Sequence, residues 1–242
     1  MVAQLCINNE FVTNVTVMKL GKMYHTSKQV RRRRRREMSA FLGPIHYWLY
    51  NKITLQDKMA EAILELNEKN NYVQGLRQET DAEFDVIEKK PLEEMIDETN
   101  IHGWLQHKVN IVERRLAFVV TKILQADEDA LEKIEEVIYN LGVQVYEENK
   151  DSFESAEQVY QKLNDMLLDG MPCDHVNQMV SSSSDEVVYR RTMCIHETYW
   201  TDVNGSIANY YALRSHFIAG YLHDSAFSFT ADADGNYHIN RK

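Results

Sequence analysis

Apolar side chains recur at helical spacing over two long stretches that share one sequence pattern. The first stretch, 45–63, begins with I-H-Y-W-L-Y-N-K, and the second, 101–119, begins with I-H-G-W-L-Q-H-K. Both fit the frame I-H-x-W-L-x-x-K, and their apolar positions stay in register beyond it. The period of 56 residues is longer than the usual solenoid unit. The pattern therefore predicts a helix that is duplicated within one bundle, with its Ile, Trp and Leu in the core.

Further elements are predicted on both sides of the repeat from apolar periodicity and from Pro, Gly and capping residues. Partial alternation predicts one or two short strands within 4–18. The predicted helices are 28–42, 44–70, 91–125 with an interruption at Asn100 or Gly103 left open, 128–141 with the apolar pattern continuing past Gly142, and a segment from Ser152 that stops before Gly170. Beyond Gly170 the pattern predicts a strand over 186–194, a helix over 205–222, and a β-hairpin formed by 226–230 and 236–240.

These elements predict an α+β fold that is predominantly α. Residues 1–170 form an N-terminal multi-helix bundle with an internally repeated helix, and residues 171–242 form a small α+β module. A chain of 242 residues makes one large domain or two small ones, and it is long enough to bury a substantial core without disulfide bonds.

Composition narrows the classes of function. The net charge of −10 disfavours a nucleic-acid partner, because a phosphate backbone attracts a basic surface. Three cysteines are too few for a disulfide framework and favour a reducing, cytoplasmic location. Neither a secretion leader nor a run of about 20 apolar residues is present, so no membrane association is expected. The aromatic-rich helices are consistent with a homodimer.

The run Arg31–Arg36 falls inside the predicted helix 28–42. Six consecutive residues surround a helix completely, so at least one or two guanidinium groups must face the rest of the protein. One interpretation is a solvated helix paired with acidic side chains elsewhere. The other is a docking site for an anionic ligand or an acidic partner, which Arg binds through two parallel hydrogen bonds.

Two histidines of the repeat, His46 and His102, lie at the edge of the apolar stripe, and Asp57 and Glu113 return to nearly the same azimuth. If the two helices pack antiparallel, His46 approaches Glu113 and His102 approaches Asp57. Such His/carboxylate pairs suit a divalent transition metal, a haem site or a pair of general bases. The alternative is that each His bonds a backbone carbonyl or an acid at the helix edge.

A C-x-H pair occurs twice, as Cys173/His175 and Cys194/His196. In an extended strand residues i and i+2 point the same way, so each pair can present a thiolate and an imidazole together. Combined, the four side chains form a Cys2His2 set that zinc accepts. The spacing matches no known zinc finger, and packing as inert small side chains is the alternative for the cysteines.

A second chemical interpretation concerns the later pair alone. Cys194 is a candidate nucleophile, with His196 lowering its pKa and moving protons. Arg190 and Arg191, on the preceding strand, are candidate contacts for an anionic substrate, and Trp200 is a further candidate substrate-binding residue. This interpretation predicts an enzyme that acts on a small anionic molecule.

The last quarter of the chain combines a strand leading into Cys194, a helix near 210–222, an aromatic strand at Phe227 to Phe229 and a closing G-N-Y-H-I at 235–239. This pattern resembles the C-terminal module of the L-2-amino-thiazoline-4-carboxylic acid hydrolase-like proteins. In that group further cysteines are expected after the helix and in the closing strand, where this chain has Ser215 or Ser225 and Tyr237-His238. The resemblance implies a small-molecule hydrolase or a ligand-binding module in which Cys194 is the most important position.

Three functions follow as hypotheses. The first is a hydrolase-like enzyme that binds a small anionic ligand and uses Cys194 and His196. The second is a metal- or haem-binding helical bundle that uses His46 and His102. The third is a non-enzymatic interaction protein that docks through Arg31–Arg36.

Overall fold

The computed structural model of the protein describes residues 42–171, 173–232 and 235–242. Within these residues eight α-helices accompany one four-stranded antiparallel sheet, so the predicted α+β, mostly α fold is confirmed. The strands predicted within 4–18, the helix predicted over 28–42 and the run Arg31–Arg36 lie outside the described residues.

The elements alternate between long helices that build the bundle and short ones that connect it. The helices are α1 (Pro44–Asn70), α2 (Leu76–Phe84), α3 (Leu92–Met95), α4 (Ile101–Ala126), α5 (Leu131–Asn149), α6 (Ala156–Met166), α7 (Glu197–Asp202) and α8 (Ile207–Tyr221). The strands are β1 (Asn177–Ser182), β2 (Glu186–Arg191), β3 (Phe227–Ala231) and β4 (Asn236–Arg241), in the order β1-β2-β4-β3.

Local signals set the ends of the two repeated helices. Pro44 occupies the first turn of α1, where its missing N–H is no loss. Asn71 ends α1 in the left-handed conformation. Asn100 caps α4 by accepting a hydrogen bond from the Gly103 backbone N–H, at 3.0 Å. The predicted interruption at Asn100 is therefore confirmed, and α3 is a separate short helix.

The repeated helices α1 and α4 lie side by side and run in the same direction. The rings of His46 and His102 are 6.0 Å apart near the first turns, and Arg115 Nε lies 3.5 Å from Asp57 Oδ1 three turns further on. Contacts that advance together along both helices require parallel packing, which the intervening α2 and α3 permit by returning the chain. The antiparallel packing on which the His46–Glu113 and His102–Asp57 pairs depended is not the arrangement found.

Helices α5 and α8 approach closely through two glycines. A Cβ atom on Gly142 would lie 2.2 Å from the Phe217 carbonyl oxygen, and one on Gly220 would lie 2.0 Å from the Tyr139 carbonyl oxygen. Neither position therefore tolerates a side chain without moving the backbone. Helix α5 continues through Gly142 to Asn149, as the apolar pattern beyond Gly142 predicts.

The main hydrophobic core draws side chains from both sides of residue 170, including Ile134, Phe217 and Ile239. A second cluster surrounds the first half of the repeat, with Leu49 and Leu105 at its centre. Division into 1–170 and 171–242 stays a prediction. None of the described helices is long and apolar enough to cross a membrane.

In the C-terminal sheet one prediction from the sequence is confirmed and another, near Cys194, is wrong. The predicted hairpin is confirmed, since β3 and β4 pair antiparallel with Phe229 opposite Ile239. The strand predicted over 186–194 ends at Arg191, however, and His196 instead precedes α7 with helical backbone angles. Strand β1 and helix α7 were not predicted, because β1 is polar and mostly exposed and α7 has only six residues.

Candidate functional site

A carboxylate, Asp169, connects the helical bundle to the C-terminal sheet. It lies in the loop after α6 and accepts hydrogen bonds from Arg191 Nη1 at 2.9 Å, from Arg214 Nη2 at 2.9 Å and from Asn177 Nδ2 at 3.0 Å. Burial opposes its ionisation, but Arg214, with His196 and Arg191, lowers the pKa of Asp169 well below its ordinary value. Asp169 therefore stays ionised and ties β2, α8 and β1 to one point.

A buried imidazole, His196, lies next to this carboxylate. Its Nδ1 is 2.9 Å from Glu113 Oε1 on α4, and its Nε2 is 3.8 Å from Asp169 Oδ1. The Tyr210 ring stacks on the imidazole at 4.0 Å. Burial alone would lower the pKa of His196, but Glu113 and Asp169 outweigh it and the pKa is raised. The imidazolium form is thus stabilised and donates to Glu113 through Nδ1–H.

Lys52 of α1 lies near Asp169 and Arg214 and is buried, with 4% of its surface exposed. Its Nζ lies 3.5 Å from the centre of the Trp48 ring. Among the described residues it forms neither a hydrogen bond nor an ion pair within 4 Å; Asp169 and Asp165 act on it only from a greater distance. Burial, with a smaller contribution from Arg214, lowers the pKa of Lys52 to about 8. A substantial share of the amine is therefore neutral just above physiological pH.

Lys52 opens onto a narrow cavity between α1, α6 and α8. Its polar lining consists of Lys52, Gln56, Tyr210 and Arg214. The remaining walls are apolar: Leu55, Met59, Leu116, Met166, Leu167, Leu168 and Leu213. The free volume of about 10 Å³ is the size of one water molecule. Two of these lining residues, Met59 and Met166, have flexible side chains.

The cluster buries more positive than negative charge. Its buried ionisable side chains are Lys52, Arg191, His196, Arg214, Glu113 and Asp169. Four of these six groups are basic and two are acidic, and the partly exposed Asp165 is a further acid that acts on Lys52. A buried charge without a partner is costly. The Gln56 Nε2 amide is also buried and has no partner among the described residues. The cavity is therefore chemically suited to an anion.

The predicted Cys194/His196 pair does not form. The Cys194 thiol is exposed, and its Sγ accepts a hydrogen bond from the Tyr211 hydroxyl at 3.0 Å, while His196 points inward to Glu113. The prediction assumed a strand, but the strand ends at Arg191, so the alternation of side chains does not reach these two residues.

The predicted Cys2His2 set is not assembled either. Cys173 and His175 are both exposed, whereas His196 is fully buried. In the part of the chain that the structure describes, the one group of three or more potential ligands with converging donor atoms is Glu147, His223 and Asp224, which contains none of the four.

Of the three predicted substrate-binding residues, one belongs to the cluster. Arg191 binds Asp169, as described above. Arg190 is exposed and donates to Gln178 Oε1 at 2.9 Å. Trp200 is completely buried and packs edge-on against Tyr210, which makes it a core residue.

The four metal ligands predicted on the repeat do not converge on one point, and each contacts a different partner. His46 and His102 contact each other, but their helices are parallel, so Asp57 and Glu113 lie eleven residues and about 16 Å further along. Asp57 pairs with Arg115 instead, and Glu113 pairs with His196. His46 Nδ1 accepts a hydrogen bond from the Gly43 backbone N–H at 3.0 Å, whereas the helix-edge interpretation predicted a backbone carbonyl or an acid as its partner.

Sequence reasoning missed Lys52, Asp169 and Arg214 as site residues. A signal existed for Lys52, because it closes the repeated motif and falls on the apolar stripe of α1 together with Gln56. A lysine on such a stripe must either extend to solvent or be buried at a cost. Asp169 lies in a loop, where periodicity carries no information.

No protein family, no curated protein and no solved structure matches this chain. The site is therefore interpreted from its own geometry.

Proposed function

We propose that this protein binds a small carboxylate in the cavity between Lys52 and Arg214. The observation that carries the proposal is Lys52, a lysine with 4% of its surface exposed and no counter-ion within 4 Å among the described residues, next to the buried Arg214 guanidinium. A ligand carboxylate supplies the missing negative charge. It also raises the pKa of Lys52, so binding and protonation of the amine are coupled.

The lining favours a short organic acid. Arg214 has one amino group on Asp169, and its Nη1 makes only a long contact of 3.5 Å to the Tyr210 hydroxyl, so that part of the guanidinium can donate to a ligand. The Gln56 amide offers another donor. Apolar walls suit a short carbon chain, whereas phosphate is larger and needs more donors than these.

Calorimetric titration with formate, acetate, propionate and inorganic phosphate tests the proposal. We expect saturable binding of at least one carboxylate and a preference for it over phosphate. Lys52→Met should weaken that binding by about ten-fold or more, the equivalent of one lost charged contact. Lys108→Met, which alters the corresponding lysine of the second repeat, should leave it unchanged. Equal binding by the two variants, or no saturable binding by the natural protein, would contradict the proposal.

A thiol-dependent activity at Cys194 is a second candidate. It is favoured by the Tyr211 hydroxyl on Cys194 Sγ and by the Arg191 guanidinium 5.0 Å from the Tyr211 ring. The hydroxyl can donate a hydrogen bond to the sulfur while it reacts, and the guanidinium attracts an anionic substrate.

Alkylation rates test this second candidate, with the exposed thiol of Cys173 as the internal control. The ratio of the iodoacetate rate to the iodoacetamide rate should be higher at Cys194 than at Cys173. Tyr211→Phe should slow both reagents at Cys194 alone. Identical ratios at the two thiols would remove this candidate.

A further inference from the structure

We infer that Glu147, His223 and Asp224 form a binding site for one divalent transition metal ion, and that Zn²⁺ is the ion it suits best. One donor atom from each of the three side chains lies within 4.8 Å of the other two. None of these residues lines the cavity at Lys52, so the inference is independent of the proposed carboxylate site.

The ends of two neighbouring helices bring the three side chains together. His216 Nε2 of α8 lies 3.8 Å from Glu135 Oε2 of α5. Further along both helices, the rings of Tyr221 and Tyr146 are 5.9 Å apart. The helices therefore run in the same direction and end side by side, with one proposed ligand in the last turn of α5 and two in the turn after α8. Helix C-termini carry partial negative charge, so two of them at one place favour a bound cation.

The imidazole of His223 has the tautomer that a metal ligand needs. Its Nδ1 lies 3.0 Å from the Gly220 carbonyl oxygen, which only accepts hydrogen bonds, so Nδ1 carries a proton. The lone pair of the neutral ring is therefore on Nε2. Histidines that bind metals usually donate their other N–H to a backbone carbonyl or a carboxylate in this way. The Tyr146 ring packs edge-on against the imidazole at 5.4 Å and helps to fix its plane.

The Nε2 atom of His223 faces a carboxylate at the spacing expected for two ligands of one zinc ion. It lies 3.3 Å from Asp224 Oδ2. Two donor atoms bound to Zn²⁺ at about 2.0–2.1 Å in tetrahedral geometry are separated by about 3.3 Å. A charged N–H···O hydrogen bond is shorter, at about 2.7–2.9 Å. The exposed Glu147 carboxylate supplies a third ligand, and water completes an open tetrahedral site.

The turn that carries two of the ligands is held in place by Lys242. Its Nζ donates to the backbone carbonyls of Leu222 at 3.3 Å, His223 at 3.2 Å and Ser225 at 2.9 Å. All three N–H groups of the ammonium are thus engaged by the backbone, and the ligand side chains stay free to bind a metal. An imidazole combined with carboxylates suits Zn²⁺, whereas Mg²⁺ and Ca²⁺ prefer oxygen ligands alone.

Calorimetric titration of the full chain with Zn²⁺, after treatment with EDTA, tests the inference. The three cysteines are replaced by Ser, because thiols also bind zinc. We expect saturable binding of one Zn²⁺ per chain that excess Mg²⁺ or Ca²⁺ does not displace. His223→Gln should weaken it by at least about ten-fold, since the loss of even an outer-shell partner costs a metal site that much. Asp224→Asn and Glu147→Gln should each weaken it as well.

His216→Gln is the matched control and should leave zinc binding unchanged. His216 also donates Nδ1–H to a backbone carbonyl of α8, that of Ala212, but its Nε2 faces only Glu135, at 3.8 Å. A cooperative urea transition in EDTA shows that each variant is folded. No saturable zinc binding, or equal binding by His223→Gln and His216→Gln, would overturn the inference. Unchanged binding by both acid variants would overturn it too, since zinc would then bind an isolated imidazole.

Discussion

The two copies of the repeat place the same residue types in different environments. In the first copy Lys52 lies 3.5 Å from the Trp48 ring and is buried at a cavity. In the second copy Lys108 lies 5.3 Å from the Trp104 ring and is only partly buried. One Lys/Trp pair therefore faces a polar cavity, and the other stays at the surface.

The two acids of the repeat, Asp57 and Glu113, also have different partners. Asp57 faces Arg115, a fully buried guanidinium that also binds Glu61 and Asp81, each at 2.7 Å. Glu113 faces His196 of the C-terminal module. The first acid thus belongs to a network within the bundle, and the second connects the bundle to the module.

This difference shows that the repeated pattern specifies helix packing, while later parts of the chain decide the chemistry. Parallel packing sets each copy beside the other, and the loop after α6, the sheet and α8 then cover only one side. Burial, and after it the opposing charges of Asp169 and Arg214 from those later parts, distinguish Lys52 from the partly buried Lys108.

Removal of Arg115 should have the largest effect on stability. Arg115→Met leaves the carboxylates of Asp57, Glu61 and Asp81 close together without their shared cation, so we expect a loss of about 3 to 5 kcal/mol in the free energy of unfolding. Arg114→Met, at the neighbouring exposed position, is the control and should change it by less than about 0.5 kcal/mol. Urea unfolding of the two variants measures both. Similar losses would mean that the buried network is not what stabilises α1 against α4.

Lys52→Met should instead increase the free energy of unfolding. In buffer without carboxylates the natural protein must hold a buried ammonium at pH 7, so the variant should be more stable by roughly 2 to 3 kcal/mol. The pKa of Lys52 is lower in the folded state than in the unfolded state, so the stability of the natural protein rises with pH between about 8 and 10.5. The difference in stability between the variant and the natural protein should therefore disappear over this range. Lys108→Met should show no comparable gain. A destabilised Lys52→Met protein at pH 7 would indicate that the amine already has a stabilising partner.

Substitutions of Asp57 and Glu113 should change the free energy of unfolding in opposite directions, each by less than the two substitutions above. Burial raises the pKa of Asp57 to about 6 even though Arg115 lowers it, so ionisation destabilises the fold as pH rises from about 4 through 6. Asp57→Asn avoids this and should be more stable than the natural protein at pH 7, by about 1 to 2 kcal/mol, but not at pH 4. Glu113→Gln weakens a charged hydrogen bond to His196 and should be less stable at pH 7 by a similar amount. Thermal unfolding at both pH values checks the signs, and equal signs at pH 7 would contradict the distinction.

Much of this fold was predictable because its signals are local. Pro44 and the apolar stripe defined α1, and the second stripe placed the end of α4 within one residue, whereas the helix predicted from 91 begins at Ile101. The direction of packing was not predictable, because the repeat is compatible with either orientation and only the path of α2 and α3 decides it.

The site depended on contacts that no local pattern encodes. Asp169 joins Arg191 and Arg214 from 22 and 45 residues away. The prediction at Cys194 and His196 failed for a local reason, since a strand three residues shorter than expected changed where both side chains point. Arg191 was found because it lies on a strand that the alternation did identify.

The most direct test of the central claim is an NMR titration of protein with ¹³Cε-labelled lysine, with Lys52 and Lys108 assigned through their Met variants. The account predicts that the Lys52 signal titrates with a midpoint near pH 8 in carboxylate-free buffer. Saturating formate or acetate should move that midpoint upward and leave the Lys108 signal in place. A Lys52 midpoint near its ordinary value of 10.5 that carboxylates do not change would contradict the claim that this lysine is the anion site.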